Sequence, residues 1–292
     1  MTRSEMEMAA KEDALREARP VVLTVAGFDP SSGAGMTADL KVFAAHRVYG
    51  VSAVTALTVQ STQGVRRVEP ADAELLRETL ACLAEDVVVA GVKIGMLATR
   101  ANVGVVTEFL RTTGVPPGRV VLDPVVRSSS GKALLEEDGL KAMQQELLPL
   151  VGWVTPNLSE LGVLTGMEVA GQEAVRDGAR RLAELVRELG NPELNVVVTG
   201  GDAERPDDFL RTAEGEEQWF AGERVETRAT HGTGCSFSSA LLCRVVMGDG
   251  AAAAVAAAKQ YVREAMEAAY PVGKGKGPLH HLYGLEQDAG TN

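Results

Sequence analysis

The chain has 292 residues, with 29 Lys and Arg against 40 Asp and Glu, so its formal net charge is −11. Apolar residues make up 45% of it and charged residues 24%, which is the composition of a globular protein and not of a disordered one. An acidic chain of this kind is not expected to bind nucleic acid or an anionic membrane, because both partners require clustered Lys and Arg.

The cysteines and the N-terminal residues indicate the cellular compartment of the protein. The chain has 3 cysteines (Cys82, Cys235 and Cys243), too few for a disulfide framework, and we therefore expect a reducing, cytoplasmic environment. Residues 1–19 mix both charge signs without an apolar core, unlike a signal peptide, and are interpreted as a flexible leader. The run Val48–Val65 is uncharged but interrupted by Thr, Gln and Ser, so it is not expected to span a membrane.

Short apolar, β-branched runs alternate with segments of helical periodicity along the rest of the chain. We predict strands over residues 21–26, 51–59 (buried), 87–94, 120–122, 153–154 and 195–198. We predict helices over residues 36–46, 71–85, 99–113, 133–148, 175–189, 233–247 and 250–269, with short surface strands or hairpins over 202–228. This order predicts a three-layer α/β fold whose central sheet is mostly parallel and has helices on both faces. We assign residues 20–285 to one domain and residues 286–292 to a C-terminal tail.

Ligands of such sheets bind beyond the carboxyl ends of the strands, so the residues that follow each strand are candidates. The loop 27–35, GFDPSSGAG, either lets backbone amides approach a ligand at a helix start or is a plain strand-to-helix turn. Asp39, predicted in the first turn of the next helix, either serves a site or favours the helix dipole. Gln60 can offer a donor and an acceptor to a heterocycle, or be a solvated loop residue. Met96 is either a ligand wall or core filler.

Oxygen ligands follow the next two strands. Asp123 comes directly after the fourth strand, where a carboxylate faces Mg²⁺ or phosphate, or simply makes a turn. Asn157 and Glu160 are three residues apart at a helix start, so one helix face could present two oxygens to hydrated Mg²⁺. The same pair is also the pattern of a capping box, in which the two side chains bond each other's backbone.

The most specific segment is THGTGCS, residues 230–236, which leads into an apolar helix. Glycines on both sides of Thr233 at a helix N-terminus predict a nest of free amides, suited to charge on a transferring phosphoryl group. Cys235 lies in the first helical turn, where the same field is expected to lower the thiol pKa. The alternative is a glycine turn with a buried cysteine. A GxxxxGK[ST] motif is absent, and the run 273–277, GKGKG, lacks the strand and helix that such a motif needs.

Taken in order, these segments resemble the hydroxymethylpyrimidine/phosphomethylpyrimidine kinases of thiamine biosynthesis, within the ribokinase-like superfamily. The resemblance extends from about Val21 to about Tyr283. The segments that carry it are VAGFDPSSGAGMTADLKVF (25–43), YGVSAVTALTVQSTQGV (49–65), KIGML (93–97), VVLDPVV (120–126), TPNLSE (155–160), THGTGCS (230–236) and GKGPLHH (275–281).

The resemblance implies phosphorylation of 4-amino-5-hydroxymethyl-2-methylpyrimidine by ATP with Mg²⁺, and then of its monophosphate to the pyrophosphate. It implies that Gln60 holds the aminopyrimidine edge and that Ala34 and Thr58 line it through backbone groups. Met96 and Val125 pack on the ring, and Asp39 lies near the reacting end.

The phosphate side is implied in the same way. Asn157 and Glu160 match the family's Mg²⁺ and phosphate motif, and Asp123 is a further candidate metal ligand. Gly232, Thr233 and Gly234 match its anion hole. Cys235 stands where most sugar kinases of the superfamily have an Asp base, so as a thiolate it is the candidate acceptor of the hydroxyl proton. Members of the family are commonly dimers, so we expect a homodimer.

The sequence departs from the family's pattern at two phosphate-side positions. Ser129 stands where the family usually has a Lys after the DPV segment, and Thr199 stands where it has a Lys before two glycines. Arg127 and Lys132 are candidates to replace the first lysine, and the Thr199 hydroxyl can donate a hydrogen bond to phosphate. Phosphate binding is therefore the part of the site most changed in this chain.

Two other functions stay open. One is a kinase of the same fold that acts on pyridoxal, pyridoxine or pyridoxamine, which are also planar heterocycles with a hydroxymethyl group. The other is a pyrimidine-binding regulatory protein without kinase activity, which predicts tight binding without ADP release.

Overall fold

The structure is a computed structural model, and it describes residues 19–128, 131–201 and 205–285. The predicted leader (except Arg19), the predicted tail 286–292 and Ser129 lie outside the described residues.

The described strands follow the predicted order, with one addition. They are β1 (Val21–Phe28), β2 (Tyr49–Ser61), β3 (Gly64–Pro70), β4 (Val89–Ile94), β5 (Val120–Leu122), β6 (Trp153–Val154), β7 (Asn195–Val198), β8 (Asp208–Arg211) and β9 (Glu217–Phe220). The strands β8 and β9 form a predicted hairpin, but β8 is buried, so the prediction of surface strands is wrong for it. The strand β3 was not predicted, because its charged residues hide the apolar alternation of a strand.

The described α-helices are α1 (Gly35–Ala45), α2 (Ala73–Asp86), α3 (Arg100–Thr112), α4 (Glu137–Ala142), α5 (Leu158–Thr165), α6 (Gly171–Glu188), α7 (Thr233–Val246) and α8 (Ala251–Glu267). The predicted helix 133–148 is shorter than expected. After α4 the backbone widens into a π-turn over Met143–Leu147 and tightens into a 3₁₀ turn over Leu148–Leu150, which contains a proline that cannot continue an α-helix.

The described strands form one sheet in the order β3-β2-β1-β4-β5-β6-β7-β8-β9. The six neighbouring strands β2, β1, β4, β5, β6 and β7 pair in parallel. The strands β3, β8 and β9 add antiparallel edges. Helices α2, α3, α5 and α6 cover one face, and α1, α7 and α8 cover the other. The predicted three-layer, mostly parallel architecture is confirmed.

The core follows from the side-chain alternation of the central strands. In β1, Leu23 and Val25 pack into one apolar cluster, and Val22 packs into the cluster on the opposite face. A strand buried on both faces reads as a continuous apolar run, which is why β1 was recognisable from sequence. The prediction that β2 is buried is wrong for its second half. There β2 extends past the end of β1 to pair with the edge strand β3, which leaves Leu57 and Val59 exposed. No helix in the described part of the chain is both long and apolar enough to cross a membrane.

Candidate active site

A cavity of about 1020 Å³ opens at the carboxyl ends of the parallel strands, beside the N-terminus of α7. We call it the sheet-end cavity. Nearly all of the predicted site residues line it: Ala34, Thr58, Gln60, Met96, Asp123, Val125, Asn157, Glu160, Thr199, Gly232, Thr233, Gly234 and Cys235. Segments distant in sequence thus meet at one edge of the sheet, as the parallel topology requires.

Asp39 is the exception, and the structure corrects its predicted contact with substrate. Its carboxylate is completely buried and does not line the cavity. It accepts hydrogen bonds from Lys93 Nζ at 3.0 and 3.1 Å, from Thr24 Oγ1 at 2.6 Å and from Ser239 Oγ at 2.8 Å. It also lies beyond the first turn of α1, which begins at Gly35, so the interaction predicted with the helix dipole is wrong too.

Lys93 is the site residue that the sequence analysis missed. It extends from β4 into the floor of the sheet-end cavity and is completely buried. Burial lowers the pKa of a lysine, but here the negative charge of Asp39, together with Cys235 and Asp123, raises the pKa of Lys93 above its ordinary value. The side chain is therefore a fixed cation. The only available signal was a lysine flanked by Val92 and Ile94, where a strand buried on both faces cannot leave a charge unpaired.

Cys235 lies half-buried beside Lys93 and Asp123, and its predicted low pKa is wrong. Desolvation raises the pKa of the thiol to about 12, although Lys93 and the amide of Gly35 oppose the shift. The thiol donates a hydrogen bond to Asp123, whose own pKa is raised by burial and by Asp39. The helix field is outweighed because the sulfur is removed from water among carboxylates, so Cys235 is a thiol at neutral pH.

Asn157 and Glu160 form the capping box of α5, one of the two alternatives that the sequence left open. The Asn157 side chain accepts from the Glu160 amide at 2.9 Å, and Glu160 Oε2 accepts from the Asn157 amide at 3.0 Å. Burial and the neighbouring Asp123 raise the pKa of Glu160 to about 8. Two desolvated carboxyl groups that repel each other suit a bound divalent cation.

The donor set at this point fits magnesium better than a transition metal. Within the described residues, no group of three His, Cys, Asp or Glu side chains is placed to hold a metal ion. Mg²⁺ needs fewer protein ligands, because it commonly takes one or two carboxylates and completes its shell with water and phosphate oxygens. Asp123 and Glu160 are such a pair.

The loop before α7 has the backbone shape predicted for an anion hole. Gly232 caps the helix with a left-handed backbone (φ 84°), and a Cβ there would overlap the carbonyl oxygen of Gly33. The amides of the first helical turn, residues 233–235, have no carbonyl one turn earlier to bond. The 232–234 backbone lines the cavity, so these amides and the helix dipole favour an anion there.

Gln60 is not free in the structure. Its Nε2 lies 3.1 Å from His231 Nε2, and its Oε1 accepts from Thr58 Oγ1 at 3.1 Å. His231 Nε2 in turn lies 2.7 Å from Asp29 Oδ2, and hydrogen bonds from His231 and Ser31 lower the pKa of Asp29 despite its burial. The Asp29–His231 hydrogen bond therefore ties the loop after β1 to the anion-hole loop, and because His231 Nε2 donates its proton to Asp29, it cannot also accept from the Gln60 amide.

The two predicted substitutes for the missing lysine differ in position. Arg127 lines the sheet-end cavity and donates to the Gly131 carbonyl oxygen at 3.4 Å. Lys132 donates to the Arg66 carbonyl oxygen on β3 at 2.6 Å and does not line the cavity, so the structure does not support it as a substitute.

A second cavity of about 1180 Å³ lies between the segment after β8 and the helix α8, and we call it the β9–α8 cavity. It meets the sheet-end cavity along a common wall, which consists of Thr199, Gly201, Thr230, Thr233, Gly234, Lys274, Gly275 and Lys276. Two compartments that meet at a helix N-terminus suit the transfer of an anionic group from one bound molecule to another.

The fold and these paired cavities define a kinase of ribokinase-like architecture. A model of the phosphomethylpyrimidine kinase family matches residues 29–280, and the chain belongs to that family. The resemblance found in the sequence is thus confirmed.

Relatives and solved structures agree with this assignment. The hydroxymethylpyrimidine/phosphomethylpyrimidine kinase of Rhizobium meliloti is 39% identical over 90% of this chain and 97% of its own, and that of Streptomyces coelicolor is 39% identical over 91% and 96%. The structure of Bacillus subtilis pyridoxal kinase with ADP superposes with a TM-score of 0.78 at 30% identity, covering 90% of this chain and 98% of that chain. The phosphomethylpyrimidine kinase of Clostridium difficile gives 0.72 at 31%, covering 85% and 99%.

Proposed function

We propose that the chain phosphorylates 4-amino-5-hydroxymethyl-2-methylpyrimidine and then its monophosphate, with ATP as the phosphoryl donor, in thiamine diphosphate biosynthesis. The observation that carries the proposal is the meeting of the two cavities at Thr233 and Gly234, in the first turn of α7. The sheet-end cavity takes the pyrimidine, and the β9–α8 cavity takes the nucleotide.

The sheet-end cavity offers a planar heterocycle both apolar walls and a polar edge. Met96 and Val125 provide apolar surface for the ring. Gln60 presents an amide that can donate and accept along one ring edge, and the backbone at Ala34 and Thr58 lines the same side. The hydrogen bond from Thr58 Oγ1 holds Gln60 near this edge before substrate arrives, which reduces the ordering cost of binding.

Phosphoryl transfer needs positioning and charge neutralisation more than covalent chemistry. The amides of residues 233–235 receive the charge that spreads over the transferring oxygens, and Thr199 donates its hydroxyl from the common wall. Glu160 would hold Mg²⁺ together with water and phosphate oxygens, and the ion would neutralise phosphate charge. Asp123, beside Glu160, is left to accept a proton. Asn157 positions Glu160 through the capping box.

The hydroxyl proton leaves toward Cys235. In a loose transition state the acceptor oxygen loses its proton late, so a thiolate is not required beforehand. As the oxygen–phosphorus bond forms and the bond to the leaving ADP breaks, Cys235 Sγ accepts the hydroxyl proton and passes its own proton to Asp123. Lys93 keeps positive charge beside this pair throughout.

Three further proposals concern the setting of the enzyme. We propose a cytoplasmic location, which agrees with three free cysteines, one of them exposed.

We propose a homodimer formed through β2, where Leu57 and Val59 expose apolar side chains on one face. The variant Leu57→Lys should then convert a dimer to a monomer in sedimentation analysis. We propose that residues 20–285 form one kinase domain, with 1–19 dispensable for activity.

A coupled assay of ADP release tests the proposed function. We expect turnover with the pyrimidine alcohol and with its monophosphate, and much less with pyridoxal. Pyridoxal kinases of Bacillus subtilis and Staphylococcus aureus share this fold, so faster turnover of pyridoxal would replace the proposed acceptor. Tight pyrimidine binding without ADP release would instead identify a regulatory binding protein.

A further inference from the structure

A phosphoryl group that passes between the two cavities crosses their common wall, where cationic side chains can neutralise its charge. Among the described residues of that wall, the cationic side chains are Lys274 and Lys276. Both belong to the GKGKG loop, residues 273–277, to which the motif analysis assigned no function.

The other cations that line the cavities each belong to one of them. Lys93 lines only the sheet-end cavity, and Lys259 lines only the β9–α8 cavity. Further out, Arg263 forms two ion pairs at 2.8 Å, and Arg224 and Arg228 line only the β9–α8 cavity. Arg127 lines only the sheet-end cavity. These cations lie in one compartment or the other, whereas a transferring phosphoryl group occupies both in turn.

The loop is anchored on both sides by its backbone. The Gly275 amide donates to Thr62 Oγ1 at 3.1 Å, and the Gly277 amide donates to the Arg228 carbonyl oxygen at 2.9 Å. The His231 amide donates to the Gly277 carbonyl oxygen at 3.1 Å. The loop therefore joins the turn between β2 and β3 to the anion-hole loop.

The glycines of the loop explain its alternating sequence. Gly273 has a left-handed backbone (φ 70°), and a Cβ on it or on Gly275 would collide with Thr62. Only glycine lets the backbone lie flat against the hairpin turn at these positions. The intervening lysines remain exposed at the mouth of both cavities.

The charge of the whole chain favours such cations at the junction. The chain carries a formal net charge of −11, so an incoming polyphosphate approaches an acidic protein. Cations at the junction reverse the local sign where the phosphoryl group must pass.

We propose that Lys274 and Lys276 form a phosphate clamp, contacting the transferring phosphoryl group and the phosphate of a monophosphorylated acceptor. This inference rests on the proposed function for the identity of the acceptor alone. The clamp itself recognises phosphate oxygens, so it is tested with phosphate probes as well as with substrate.

The first test measures binding of ADP and of inorganic tripolyphosphate by calorimetry. We expect the variant Lys274→Gln/Lys276→Gln to bind tripolyphosphate about tenfold more weakly or worse, while Lys274→Arg/Lys276→Arg binds within about twofold of the original protein. The matched control is Lys141→Gln, an exposed lysine of α4 paired with Glu137, which should leave binding unchanged. Raising the ionic strength should narrow the difference in tripolyphosphate affinity between the Gln variant and the original protein, because exposed charges are screened.

The second test compares the two acceptors. A clamp shared by both cavities predicts that the Gln variant loses more kcat/KM with the monophosphate than with the alcohol, whereas a loop that only supports structure predicts equal losses. Unchanged tripolyphosphate binding, or equal losses, would overturn the clamp and leave the kinase intact. Weakened phosphate binding without turnover of either pyrimidine would retain the clamp and reject the proposed acceptor.

Discussion

The two cavities differ in how their charges are solvated. At the sheet-end cavity, Lys93 is completely buried and pairs with Asp39, which is equally buried and does not line the cavity. In the β9–α8 cavity, Arg263 and Glu223 form an ion pair with side chains that are 47% and 79% exposed. Buried charges leave their partners unsatisfied when one is removed, whereas exposed ion pairs contribute little. Substitutions should therefore have large effects at Lys93 and small effects at Arg263.

The strongest test of this difference is Lys93→Met. It leaves the Asp39 carboxylate buried without its cation, and we expect a loss of about 3–5 kcal/mol in the free energy of unfolding, measured by urea denaturation. Lys141→Met, which breaks an exposed pair with Glu137, should produce no measurable change. Equal stabilities for both variants would contradict the role given to burial.

Cys235→Ala should act on chemistry and not on folding. Because the thiol is protonated at neutral pH and is a proton relay in the proposed mechanism, we expect kcat to fall about 10²-fold, at the lower end of the effect of a proton-transfer group, with KM little changed. Cys82→Ala, at an exposed cysteine, is the control. Normal turnover by Cys235→Ala would remove the thiol from the mechanism.

The variant Asp29→Asn tests the stabilising effect of a buried charge through the pH dependence of the free energy of unfolding. Folding lowers the pKa of Asp29, which faces His231 and Lys41, so its carboxylate stabilises the protein above the ordinary value of about 4 and stops doing so as pH falls through the folded value. We expect a loss of about 1–2 kcal/mol at pH 7 that shrinks below pH 4. A difference that is constant from pH 7 to pH 3 would show that the charge is not involved.

The smallest expected effect is that of Gln60→Ala. It removes the proposed ring-edge contact from a half-buried position, so KM for the pyrimidine alcohol should rise about tenfold with kcat nearly unchanged. Gln63→Ala, in the adjacent turn, is the matched control. A fall in kcat instead would make Gln60 a group that positions the reacting hydroxyl.

The sheet and its order could be predicted because they depend on local patterns. β1 reads as an apolar run, and THGTGCS combines a glycine turn with a helix start. The edge strand β3 was missed because residues such as Arg66 and Arg67 face water, so no apolar alternation remains. Helix α4 was predicted too long because periodicity does not report a π-turn.

The candidate site was predicted in membership but not in its electrostatics. Asp39 and Lys93 are 54 residues apart in sequence, and nothing local shows that they neutralise each other. The pKa of Cys235 was misjudged for the same reason. The helix dipole is visible in the sequence, whereas the burial that raises this pKa, with Asp123 and Asp39 adding to it, depends on distant segments meeting.

The buried contacts of Asp39 and Asp29 have a consequence for synthesis on the ribosome. Ser239 lies 200 residues after Asp39, and His231 lies 202 residues after Asp29. A nascent chain that has emerged only as far as β7 holds its early carboxylates without these later partners. Docking of α7 is thus a late event in completing the enzyme. If the ribosome stalls before α7 has emerged, the nascent chain exposes a sheet that chaperones must shield.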